Sequence, residues 1–176
     1  MIGILGGTFD PPHNGHVELA KAALAAVPLD KLIVLVAEQP GHRSVVADAD
    51  ARLKLAKAAF PDADVQLDPH AFTVDSVRDD RFGDAAFIVG ADQGASFEHW
   101  KDPEEILKHV KLAIGTRFGF PDHDLGRYGD RVIPFQLASP PISSSDVRER
   151  IARGEPIDEL VPEPVAKLIE ELGLYR

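Results

Sequence analysis

The chain contains no cysteine at all. That excludes a disulfide framework, a thiolate zinc set and a thiol nucleophile, and it fits a cytoplasmic setting. No apolar run approaches the roughly 18 residues of a membrane span, so no membrane partner is expected. No basic segment leads into an apolar one near the N-terminus, so no secretory signal is expected. Positive charge is scarce too: 19 Lys and Arg face 29 Asp and Glu, for a formal net charge of −10. Affinity for a nucleic-acid backbone rests on Lys and Arg patches, so a general nucleic-acid binder is disfavoured. A nucleotide ligand is not, because a few cations focused in one cleft can hold a triphosphate on an acidic protein.

The 176 residues have the apolar and charged fractions of an ordinary globular protein and read as one domain over 1–176. Residues 2–5 form an apolar strand, 17–27 a helical stripe through Leu19, Ala20, Ala23, Leu24 and Val27, and 31–37 a strand apolar on both faces. A helix over 49–60, capped by Asp48 or Asp50, leads to a short strand at 65–67 and a helix entry at 73–77 with Thr73 as candidate N-cap. A buried strand at 84–89 precedes Gly90-Ala91-Asp92, and Asp102-Pro103 opens another helix. Strands at 110–116 and 131–137 flank a glycine-containing loop, 118–130, that is a candidate lid. A helix follows Ser143 and stops at Gly154, and an amphipathic helix at 163–172 closes the chain. The alternation predicts an α/β fold, a single doubly wound Rossmann-like domain with a parallel sheet and a helical C-terminus. Ligands of such sheets bind beyond the strands' carboxyl ends.

Two stretches carry chemistry. In Gly6-Gly7-Thr8-Phe9-Asp10-Pro11-Pro12-His13-Asn14-Gly15-His16 the glycines admit close backbone approach and the prolines stiffen the turn. Two histidines then stand where a strand ends and a helix begins, a natural anion site. The competing readings are a tight turn with structural histidines, or a metal pair. For the latter no cysteine completes a set, and the other histidines are scattered. In Ile142-Ser143-Ser144-Ser145-Asp146-Val147-Arg148, hydroxyls and N–H groups at a helix start, with Arg148 one turn in, form an anion cradle. Locally, a serine-rich N-cap with a surface Arg explains it as well. Trp100, the single tryptophan, is by itself core or cleft wall.

The first stretch resembles the Gly-x-Phe-Asp-Pro-x-His-x-Gly-His signature with which the nucleotidyltransferase superfamily binds ATP. The second is similar to its Ile-Ser-Ser-Thr-x-Ile-Arg phosphate motif, Ser145 and Val147 standing for Thr and Ile. Phe87 to Asp92, Trp100, Phe72-Thr73 and the Val161-Pro162-Glu163-Pro164 to Gly173-Leu174-Tyr175 ending resemble bacterial nicotinate-mononucleotide adenylyltransferases, and Gln39 to Arg43 is similar to their Pro-Pro-His-Lys/Arg loop. The resemblance implies adenylyl transfer from ATP to a pyridine mononucleotide. It puts His13, His16 and Arg148 at the reacting phosphates and Gly6, Gly7, Thr8, Phe9, Ser144 and Ser145 around ATP. It lines the mononucleotide pocket with Arg43, Thr73, Asp92 and Trp100, the last stacked on the pyridine ring. Mg²⁺ would be held mainly by the ATP phosphates, with no protein ligand set. Glu38, Gly41 for a proline, Phe72 without a tyrosine hydroxyl and the short 118–130 loop depart from the pattern on the acceptor side. Nicotinamide mononucleotide and phosphopantetheine therefore stay open as acceptors, as does a non-catalytic ATP sensor. Oligomeric state is open as well, a homo-oligomer among the options.

Overall fold

The computed structural model describes residues 1–41, 44–78, 81–116, 126–139 and 141–176. The described strands are β1 (Ile2–Gly7), β2 (Lys31–Ala37), β3 (Asp64–Asp68), β4 (Ala85–Gly90), β5 (Lys111–Thr116) and β6 (Val132–Gln136). They form one sheet in the order β3-β2-β1-β4-β5-β6, and every neighbouring pair is parallel. Helices α1 (Asn14–Ala26), α2 (Ala49–Ala59), α3 (Thr73–Val77), α4 (Ala91–Ala95), α5 (Pro103–His109), α6 (Ser144–Ala152) and α7 (Glu163–Leu172) alternate with them. No described helix is long and apolar enough to cross a membrane.

Strand periodicity explains why both faces are covered. Leu5, Val34, Val36 and Ile88 face a core shared with Leu19, Leu55, Val147 and Val165 of the helices, while Ile4, Ile33, Leu35, Phe87 and Leu112 face a second core with Val74, Val77 and Ile106. The chain starts mid-sheet, winds outward through β2 and β3, then crosses to β4 on the other side of β1. Loops leaving β1 and β4 therefore diverge, and a crevice opens above them.

Several boundaries differ from the sequence expectation. Helix α1 begins at Asn14 because extended His13 is its N-cap. Thr73 is not the cap of α3: Phe72 is, and its carbonyl accepts from the Asp75 and Ser76 N–H groups, leaving Thr73 as the first helical residue. Val110 caps α5 rather than opening β5. Helix α4 and the 3₁₀ turn Phe97–His99 were not anticipated, each being too short to show a periodic stripe. Most of the candidate lid lies outside the described residues, and its end, Gly126–Arg131, forms 3₁₀ turns broken at Gly129.

Candidate active site

Buried β1 ends in Gly6 and Gly7, and the space a side chain would need there is filled by rings. A Cβ on Gly6 would meet the Phe87 ring at 2.6 Å, and one on Gly7 would meet the Phe9 ring at 3.1 Å. The chain then turns through Phe9, a non-glycine residue at φ 50°. Burial of its ring, edge-on to Phe60 (5.8 Å between centroids) and to His16 (5.1 Å), holds that conformation. The Phe9 side chain thus props His16, and a ligand would meet only its backbone.

His13 and His16 stack face to face, with ring centroids 3.7 Å apart and planes at 25°. The His13 N–H donates to His16 Nδ1 at 3.2 Å, a bond that in a neutral His16 ring puts the proton on Nε2. His13 is buried beside Gly15, where a Cβ would come within 3.0 Å of its Nδ1, and that nitrogen has no partner among the described residues. Burial pulls the His13 pKa from 6.5 down to about 4, against a smaller upward pull from Asp146. Near neutral pH His13 is therefore an uncharged ring that can face a phosphate as donor.

The same shift fixes a pH dependence of the ligand-free protein. Below 6.5 the unfolded chain protonates this histidine while the folded one resists down to about 4. The stabilisation it contributes is full above pH 6.5 and is lost as pH falls toward 4, by on the order of 3 kcal/mol. Denaturant titrations at pH 7 and pH 4.5 should show a smaller acid loss for His13→Gln than for wild type. Parallel profiles would contradict the buried neutral state.

The second motif docks on the first. Ser143 caps α6 in a reciprocal box with Asp146: its Oγ accepts from the Asp146 N–H at 3.1 Å, and its own N–H donates to the Asp146 carboxylate at 3.2 Å. Ser144 Oγ donates to the Pro11 carbonyl at 2.8 Å. Arg148 donates from Nη1 to the Asp10 carbonyl at 2.7 Å and from Nη2 to Ser145 Oγ at 3.2 Å. The Ser144 hydroxyl proton is thereby committed to the loop, so a phosphate would meet first-turn backbone N–H groups, the Ser145 hydroxyl and the rest of the Arg148 guanidinium. The local alternative of a serine N-cap holds for Ser143 alone, and Arg148 is half-buried rather than a free surface charge.

Residues without a role in the sequence reading hold this loop in place. Asp10, 2 % exposed, accepts from Val46 N–H (2.6 Å), Ala47 N–H (3.1 Å) and the Tyr175 hydroxyl (2.7 Å). Arg52, 1 % exposed, donates to the carbonyls of Thr8 (3.0 Å), Ala37 (2.6 Å), Glu38 (3.1 Å) and Ala47 (3.0 Å). Asn14 ties the start of α1 to the Leu160 and Glu159 carbonyls. The available signal for Arg52 was its spacing: it falls in register with Leu55, Ala56 and Ala59 on the buried stripe of α2.

The other side of the crevice starts from Phe87, whose ring lies under Gly6. Trp100 stands edge-on to it (6.2 Å between centroids, 89°) and tilted on Phe97 (5.4 Å), half-buried, so one ring separates it from the β1 loop. Exposed Asp92 opens α4 where β4 ends. Thr73 opens α3, which Lys101 links to the Trp100 segment by an ion pair with Asp75 (3.1 Å) while lying 4.6 Å over the Phe72 ring. Gly41 leans on Ala71, where a Cβ would come within 3.1 Å of the alanine's Cβ. Arg43 lies outside the described residues. Every other candidate thus stands at or after the carboxyl ends of β1, β3 and β4, or on α6 docked against the β1–α1 loop.

Among the described residues no group of three or more His, Cys, Asp or Glu could hold a metal ion. Both carboxylate oxygens of Asp10 accept from its three donors, while the Ser143 cap engages Oδ2 of Asp146.

The cytidylyltransferase-like family model matches residues 4–150. A Bordetella avium protein is 38% identical over 195 residues, covering 99% of this chain and 98% of its own length. One from Exiguobacterium sibiricum is 36% identical over 191 residues, covering 99% and 98%. Both carry the name "Probable nicotinate-nucleotide adenylyltransferase". Plasmodium falciparum nicotinic acid mononucleotide adenylyltransferase, solved in complex with NaAD, superposes with a TM-score of 0.78 at 15% identity, covering 99% of this chain and 96% of its own. At that identity the likeness speaks to the fold.

Proposed function

The chain belongs to the cytidylyltransferase-like family and, within it, to the nicotinate-nucleotide adenylyltransferases, and from that membership we propose that it moves AMP from ATP to nicotinate mononucleotide, giving deamido-NAD and pyrophosphate. The observation that carries the reading is the docking of Ser144 and Arg148 onto the Pro11 and Asp10 carbonyls beside the stacked histidines. It gathers two imidazoles, a guanidinium and a helix N-terminus at one point of the crevice, a set suited to a polyphosphate and not to a protein nucleophile.

In the proposed reaction the acceptor's 5′-phosphate oxygen attacks the α-phosphorus in line. A new P–O bond forms, the bond to the β-phosphate bridging oxygen breaks, and pyrophosphate carries away the electron pair. The protein's work is positioning and charge stabilisation. His16, through Nε2–H, and His13 donate to the α- and β/γ-phosphate oxygens, and Arg148 holds the departing pyrophosphate. Gly6 and Gly7, whose missing side chains make room for the Phe87 and Phe9 rings, offer the nucleotide their backbone alone. Mg²⁺ carried by the phosphates would supply charge neutralisation. Thr73, Asp92, Trp100 and Arg43 are assigned to the mononucleotide, and a cytoplasmic setting, with or without homo-oligomers, belongs to the same proposal.

Pyrophosphate release measured with ATP plus nicotinate mononucleotide, nicotinamide mononucleotide or phosphopantetheine tests it. Turnover should be fastest with nicotinate mononucleotide. Preference for phosphopantetheine, or release independent of any acceptor, would overturn the assignment. Within the same assay, Trp100→Ala should raise the KM for nicotinate mononucleotide about tenfold, the lower range for loss of one aromatic stack, with the KM for ATP little changed. A loss confined to ATP would remove Trp100 from the acceptor side.

A further inference from the structure

We infer that Tyr175 and Arg52 are positioning residues that fasten the β1–α1 loop to the loop after β2, so that both substrate loops are set by one buried network. The segment 38–47 is held at its two ends by one guanidinium. Arg52 grips the Ala37 and Glu38 carbonyls where it begins and the Ala47 carbonyl where it finishes, while also holding Thr8 of the first loop. Asp10, within the first loop, grips the Val46 and Ala47 N–H groups with its side chain and receives Arg148 on its carbonyl. A shift at Asp10 is therefore felt at Arg148 and at Val46–Ala47 together.

Tyr175 completes the arrangement from the far end of the chain. Helix α7 stops at Gly173 in the left-handed region (φ 63°), the Leu174 N–H returns to the Ile169 carbonyl, and the phenol is carried into the fold. Its hydroxyl reaches Asp10 Oδ1 at 2.7 Å with only 9 % of the residue exposed. Without it, Oδ1 keeps only the longer Ala47 contact, in a place water does not easily fill. Burial and the adjacent carboxylate push the phenol's pKa upward, so it stays a donor across the working pH range.

The kinetic half of the inference rests on the adenylyltransferase assignment; the exchange half does not. Tyr175→Phe keeps the ring and removes the one hydroxyl. In wild type, α,β-methylene ATP should slow amide exchange at Val46 and Ala47 by about tenfold, and the variant should lose that protection at saturating analogue. In turnover, Tyr175→Phe and the charge-conserving Arg52→Lys should each raise the KM for ATP and for the acceptor together, by roughly five- to tenfold. A lowered Tm with both KM values and the exchange protection intact would reduce the two residues to structural ones and overturn the inference. So would a change in the KM for ATP alone. If the wild-type chain transfers no adenylyl group, the proposed function fails, and the exchange comparison still decides the coupling. If it does not bind the analogue either, the comparison is made on ligand-free protein: faster Val46 and Ala47 exchange in Tyr175→Phe supports the network, and equal rates overturn it.

Discussion

His16→Ala should lower kcat by roughly 10²–10³-fold, about 3–4 kcal/mol of barrier, while changing the KM for ATP much less. The size follows from how the ring is held. Its Nδ1 accepts from the His13 N–H, one face stacks on His13, and Phe9 stands edge-on to it. An imidazole so restrained has little freedom left to lose when the reaction begins. Such a donor acts most where charge grows, which is why the loss should appear in turnover more than in ground-state binding. The same substitution frees the His13 N–H, a local cost of about 1 kcal/mol that leaves the fold intact. His16→Asn, which can keep a donor at shorter reach, should recover part of the rate. Turnover near wild type in folded His16→Ala would sink the assignment.

The sheet was legible because both-face burial leaves uninterrupted apolar strands such as 31–37, and because α7 shows a clean amphipathic stripe over Glu163–Leu172. Boundaries slipped where caps use unexpected residues. Neither His13 nor Phe72 is a usual cap, and each is placed by contacts from outside its own segment: Asn14 is tied to Leu160, and Ser76 to Asp68 at 2.5 Å. The two chemical stretches could be read because their residues are contiguous. Their docking could not, since the Ser144–Pro11 and Arg148–Asp10 bonds join positions more than 130 residues apart. Asp10, Arg52 and Tyr175 were invisible as a group for the same reason. Trp100 packs on Phe87 and Phe97 and is half-buried, as a wall residue is.

That docking makes Arg148 the residue whose loss should damage both halves at once. Arg148→Ala should cut kcat/KM for ATP by on the order of 10³, combining a lost cation at the polyphosphate with a loosened β1–α1 loop. The guanidinium spends one nitrogen on the Asp10 carbonyl and another on Ser145 Oγ, and its remaining donors can face the phosphates. Arg148→Lys keeps the charge but not the fork, so it cannot grip the loop and a phosphate oxygen with fixed mutual geometry. It should recover binding more than turnover: the KM for ATP within a few-fold of wild type, with kcat still about tenfold low. If instead Arg148→Lys matched wild type in both constants, charge alone would suffice and the bond to Asp10 would be incidental. If Arg148→Ala kept kcat and lost only affinity for the acceptor, the guanidinium would belong to the mononucleotide pocket rather than to the departing pyrophosphate.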